Sequence, residues 1–172
     1  MRLAPLAAAF LLAACGSTQS PSYFVLPDSQ YIQPARQGSE IAVNVYLNSA
    51  LNKGGLVYQT DAHHLNFARN HLWATPLDGA LANSLSNKLN RLNHRYTFVP
   101  AARSQSAQQL KIYVEAFNGS YLGKTIVSGY ALWPDGQSRP FHAETVQQGD
   151  GYTAMLESLA VGLNQAVQEM AH

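Results

Sequence analysis

The chain is poor in charge and in cysteine, and both shortages narrow what it can be. Only 12% of its 172 residues are charged, with 11 Lys and Arg against 10 Asp and Glu. A nucleic-acid binder draws affinity from a concentrated basic face that neutralises phosphates, and no run of Lys or Arg here supplies one. Nucleic acid is therefore excluded as a partner. A single cysteine, Cys15, cannot form an internal disulfide or hold a zinc ion unaided. No apolar run reaches the roughly 20 residues that a bilayer-spanning helix needs. What the chain has in quantity is hydrophobic residues, 47%, enough for one packed core and against global disorder.

Catalytic patterns are missing too. There is no HExxH spacing, and His63, His64 and His71 with Asp61 nearby read as surface or structural residues. There is no G-x-S-x-G elbow, and Ser84, Ser86, Ser104 and Ser158 fall in polar or helical contexts. Gly54-Gly55 and Gly149-Asp150-Gly151 are turn signals without the spacing of a phosphate cradle. The expectation is a protein with no catalytic residues, no metal and no cofactor.

The positive signal begins at residue 1. Arg2 precedes an apolar stretch from Leu6 to Ala14, short and finished by small residues, which is the build of a secretory signal peptide. Leu12-Ala13-Ala14-Cys15 resembles the bacterial lipobox. That resemblance implies that the Cys15 thiol takes a diacylglycerol and that the chain is cut between Ala14 and Cys15. The new amine is then acylated, typically with palmitate. The residue types suit the chemistry: small side chains admit a membrane-embedded peptidase, and only a thiol forms the thioether. An exported free thiol would be a liability, whereas a lipidated one is inert. Gly16, where lipoproteins kept in the inner membrane tend to carry Asp, implies sorting to the outer membrane. The expected organisation is a signal peptide over 1–14, a flexible tether over 15–22 and one domain over 23–172.

Within that domain, Tyr23 to Leu26 reads as a short strand and residues 28 to 39 as a loop. Ile41, Val43, Val45 and Leu47 alternate with Ala42, Asn44 and Tyr46, a strand with one buried face. Residues 56–60 and 64–67 suggest a short hairpin. A helix starts near Thr75, with Pro76 at its first position and Leu77, Leu81, Leu85, Leu89 and Leu92 as its stripe. Strands follow at 96–99, 110–116, 125–133 and 139–147, the last two joined by the turn 134–137. A helix from about Gly151 to Met170 buries Leu156, Leu159, Leu163, Val167 and Met170, with Asp150 as a candidate cap. The fold expected is α+β: a mostly antiparallel sheet with two amphipathic helices packed on one face.

Aromatic residues are the remaining candidates for function. Trp73 and Trp133 suit either core packing or an interface anchor. Tyr46, Tyr113 and Tyr130 fall on the less apolar faces of their strands, as expected of a sheet surface covered by another protein or by lipid. The possible interface residues are thus Trp73, Trp133 and Tyr113.

The lipobox, the strand Tyr23-Phe24-Val25-Leu26, the helix entry His71-Leu72-Trp73-Ala74-Thr75-Pro76-Leu77, the strand Leu110 to Phe117, Ala131-Leu132-Trp133 and Gly151-Tyr152-Thr153-Ala154 form an ordered series. Together they resemble the auxiliary lipoproteins of bacterial ABC-type transport systems, and most nearly those of paraquat-inducible intermembrane transport. One departure is Leu72, where that family usually has an arginine. The resemblance implies a non-enzymatic protein on the periplasmic face of the outer membrane. It implies docking of a lipid transport complex, with an MCE-domain protein as partner and a possible homo-oligomeric ring. A membrane-tethered carrier of a small hydrophobic ligand is the competing expectation. A carrier needs a concave apolar pocket, whereas a docking protein needs an exposed aromatic patch.

Overall fold

The computed structural model describes residues 20–35 and 38–171. Cys15, Ala14, the signal peptide and most of the tether lie outside them. The described chain forms strands β1 (Ser22–Phe24), β2 (Ser39–Leu47), β3 (Gly55–Gln59) and β4 (Leu65–Trp73), then helix α1 (Leu77–Leu92). Strands β5 (Tyr96–Pro100), β6 (Gln109–Ser120), β7 (Lys124–Leu132) and β8 (Ser138–Val146) follow, and helix α2 (Gly151–Ala171) closes the chain.

All eight strands join one sheet, and β6 is its hub. One edge of β6 pairs along its length with β7, which pairs in turn with β8, both antiparallel. The other edge is shared: its first half pairs with β2 and its last two residues with β3, both parallel. Beyond β2 lies β5, in parallel; beyond β3 lie β4, antiparallel, and then β1, parallel to β4. The sheet is therefore mixed, which corrects the expectation of a mostly antiparallel one. The reason is physical: period-two alternation sets which face a residue occupies, but not the direction of the neighbouring strand. The β2–β5 pair needs a crossover connection, and β3, β4 and α1 provide it. Burial of three successive residues, Ile41, Ala42 and Val43, marks β2 as flanked on both sides.

Both helices lie against one face, as expected. Helix α1 covers β2 and β5, α2 covers β6, β7 and β8, and the helices touch each other. Leu81, Leu85 and Leu89 of α1 and Leu159, Leu163 and Val167 of α2 are fully or almost fully buried against Ile112, Phe117, Val127 and Phe141. Leu92, the last residue of the expected stripe, is instead exposed. Pro76 is the cap residue of α1 rather than its first helical residue, and it makes no side-chain capping bond.

Polar residues inside are mostly paired, Ser86 Oγ of α1 being buried without a partner among the described residues. Thr125, Thr145 and Ser158 form a buried hydroxyl cluster with oxygen separations of 2.7 to 3.0 Å, joining β7, β8 and α2. Asn87 of α1 donates to the carbonyls of Asp28 and Gln30 and accepts from the Ile32 N–H, strapping the 27–35 loop to the helix. Among the described residues no helix is long and apolar enough to cross a membrane.

Lys88 bridges the helices, its Nζ donating to Asn164 Oδ1 at 2.6 Å and lying 3.7 Å from Asp28 Oδ2. Burial lowers its pKa from the ordinary 10.5, and the Asp28 charge offsets this only in part. The folded protein thus holds this proton less tightly than the unfolded chain, and the penalty lifts as pH rises through the lowered value toward 10.5. Lys88→Met is expected to match or exceed the wild-type Tm at pH 7, by up to about 3 °C. The difference should narrow at pH 10. Thermal melts at the two pH values check it, and a large loss at pH 7 would show that the bridge outweighs desolvation.

Candidate functional site

On the face away from the helices, β2, β6 and β7 place three tyrosines in register. Tyr46 is the partner of Tyr113, and Tyr113 of Tyr130. Their rings stack with centroids 4.9 and 4.7 Å apart and interplanar angles of 19° and 14°. Tyr46 and Tyr130 are exposed and Tyr113, between them, is half-buried. Offset-stacked aromatic pairs are worth about 0.5–1.5 kcal/mol beyond their area, so the ladder is stiff as well as accessible. It presents an aromatic surface with no helix over it among the described residues.

A bulge at Glu115 shapes this region, because the register between β6 and β7 shifts between Val114 and Ala116. Gly129, opposite Val114, lets β7 come close at that point: a Cβ on it would lie 1.9 Å from the Tyr113 carbonyl oxygen.

Two outer edges of the sheet, at β5 and β8, carry side-chain contacts on their strand groups; β1 forms a third edge. At β5, the Asn90 side chain donates to the Phe98 carbonyl at 2.7 Å and accepts from the Phe98 N–H at 2.9 Å. One amide thus imitates a neighbouring strand. At β8, Glu169 of α2 accepts from the His142 N–H at 2.7 Å, and two residues away Pro140 has no N–H to offer. Such devices suppress strand-to-strand association. Strand addition is thereby disfavoured at these two edges.

The two tryptophans are in the core, 8% and 7% exposed. Trp73 packs against Phe117, with centroids 6.0 Å apart. Trp133 donates from Nε1 to the Met170 carbonyl at 3.1 Å, and Arg139 lies over its ring. Of the three candidate interface residues, Tyr113 alone stands on an open face. Tyr46 and Tyr130 are its partners there.

The histidines are dispersed. His64 bonds to Asp61 at 2.8 Å, and hydrogen bonds from the His63 N–H and the His64 ring hold Asp61 below the usual carboxylate range. His71 packs between Phe24 and Tyr152. Among the described residues no three His, Cys, Asp or Glu come together as metal ligands. A cleft of about 270 Å³, lined by Tyr58, Gln147, Asp150, Gly151, Tyr152 and Met155, is an open groove.

Comparison with known proteins gives this geometry its setting. The intermembrane transport lipoprotein PqiC of Escherichia coli is 37% identical over 161 residues, covering 89% of this chain and 86% of that one. A crystal structure of an uncharacterised protein superposes with a TM-score of 0.73 at 31% identity, over 89% of this chain and 97% of that one. A protein of Xanthomonas campestris shares the fold at a TM-score of 0.61 and 16% identity, over 86% of this chain and 91% of that one. Residues 25–171 match the model of the ABC-type transport auxiliary lipoprotein component, and the chain belongs to that family.

Proposed function

We propose that this protein is a non-enzymatic, lipid-anchored component of an ABC/MCE-type intermembrane lipid transport system, docking the transport complex at the periplasmic face of the outer membrane. Family membership and the likeness to PqiC support a role in transport between membranes. The observation that carries docking is the Tyr46–Tyr113–Tyr130 ladder, an open aromatic surface on a sheet whose β5 and β8 edges are occupied by helix side chains. Aromatic anchors of this kind dominate binding energy at interfaces. The MCE-domain protein of the same system is the partner assigned to it, and a ring of this chain would repeat the surface around an axis. The carrier alternative has less support. It needs an enclosed apolar pocket, whereas the interior is filled by side chains such as Phe98, Phe117 and Leu163, and the clefts are open.

The test is Tyr46→Ala combined with Tyr113→Ala in the full-length lipoprotein. Removing two half-open rings should lower stability by only about 1–3 kcal/mol. Co-purification of the MCE-domain protein from cells should fall at least tenfold, as expected for loss of an interface anchor of ~1.4 kcal/mol or more. Undiminished co-purification from a folded double variant would refute the docking role of this face.

A further inference from the structure

The end of the sheet formed by the β3–β4 and β6–β7 hairpins carries a second apolar surface. Leu65 is the partner of Gln59, Gln59 of Ser120, and Lys124 of Val146, so one lateral row crosses β4, β3, β6, β7 and β8. The turn after Ser120 projects Tyr121 and Leu122 from the middle of that row, and the Tyr121 N–H donates to the Gln59 carbonyl. Leu65, Tyr121, Leu122 and Val146 are 44%, 46%, 65% and 62% exposed. The row is four strand spacings wide, about 19 Å. The fold covers each of these side chains only in part, leaving apolar surface open at this end of the sheet. Of the carboxylates beside them, Glu144 pairs with Lys124 at 3.1 Å, and Asp61 accepts hydrogen bonds from the His63 and His64 N–H groups.

The path of the N-terminal segment names the occupant. Strand β1 runs parallel to β4, with Ser22 opposite His71. The chain therefore enters β1 from the Leu65 side. His71 lies six residues beyond Leu65, about 20 Å along the strand. Ser22 follows Cys15 by seven residues, a contour of about 23–25 Å. The tether is thus just long enough, when extended, to bring Cys15 level with the apolar tip.

We propose that Leu65, Tyr121, Leu122 and Val146 form a membrane-contacting tip that sits in the phospholipid surface holding the Cys15 lipid. It fixes the domain upright, so that the tyrosine face stands along the membrane normal. This deepens the lipid-anchor reading above and rests on it. The tip orients the domain; the acyl chains retain it.

The experiment labels single thiols with the environment-sensitive fluorophore NBD in the full-length lipoprotein, reconstituted into phosphatidylethanolamine–phosphatidylglycerol vesicles. A Cys15 consumed by its thioether leaves the wild type unlabelled, so Leu122→Cys carries the only dye. Gln137→Cys, exposed in the β7–β8 turn at the opposite end, is the control. The expected result is vesicle flotation of both proteins, with Leu122→Cys emission raised several-fold and quenched by spin-labelled lipid, and Gln137→Cys unaffected. Flotation without quenching at Leu122→Cys overturns the tip while leaving the anchor standing. A blue-shifted Leu122→Cys signal that lipid does not quench also overturns it, and assigns the tip to a contact with a second copy. Labelling of the wild type shows a free Cys15 thiol; the anchor then falls, and the tip with it.

Discussion

Gly129→Ala is expected to melt about 10 °C below the wild type, or to fail to fold, whereas Gly79→Ala should melt slightly above it. At Gly129 the added methyl would fall 1.9 Å from the Tyr113 carbonyl oxygen and 2.8 Å from Phe141 Cζ. The phenyl ring can turn aside, but the carbonyl belongs to the central strand of the sheet. Relief requires β7 to move off β6 beside the Glu115 bulge, breaking ladder bonds and the Tyr113–Tyr130 stack together. Overpacking costs about 1–3 kcal/mol, with the upper end expected where backbone must move, and a domain of this size loses roughly 2–4 °C per kcal/mol. Gly79 is the opposite case: it lies in the first turn of α1 with nothing within 4 Å of a Cβ. Alanine there gains about 0.5–1 kcal/mol by restricting the unfolded chain. Circular dichroism melts check both, and near-ultraviolet spectra report whether the tyrosine stack survives. Equal melting temperatures for wild type and Gly129→Ala would mean that the two strands are not held as close as described.

That contrast also shows what could be read from the chain without its coordinates. Alternation placed Ile112 and Val114 inside and Tyr113 outside, because a strand's side chains cannot share a face out of period. The tyrosine surface was legible for that reason, down to its three members. The pairing that aligns them was not, since direction and register come from connections and bulges that leave little trace in composition. Leu92 illustrates another limit. It shares the azimuth of Leu77 to Leu89 on α1, yet it is the last helical residue and stands exposed. A hydrophobic stripe sets the angle of a helix face but not the length of what covers it. Asn90 and Glu169 left no signal at all: an Asn or a Glu in an amphipathic helix reads as a solvated residue. Only packing reveals that each caps a strand edge.

The Cys15→Ser chain is expected to lose its acyl anchor and its place at the outer membrane almost entirely. A hydroxyl cannot form the thioether, so cleavage before residue 15 has no lipidated substrate. The protein should accumulate as an uncut precursor or appear in the soluble periplasmic fraction. The size of the effect follows from the lipid. Each buried methylene contributes about 0.8 kcal/mol, one chain binds only marginally, and two or more hold a protein in place. Four tip side chains, at roughly 1.5–3 kcal/mol each if fully buried, do not replace that once the freedom lost on binding is subtracted. Labelled palmitate incorporation and membrane fractionation measure both consequences, and incorporation persisting in Cys15→Ser would refute the lipobox reading. The two surfaces then take distinct parts. With the anchor gone, the Tyr46–Tyr113–Tyr130 face should still bind its partner in solution, because it lies in the folded domain and owes nothing to residue 15. If the proposed docking role holds, transport should nevertheless stop, since a docking protein that is not held at its membrane brings the complex to no particular place.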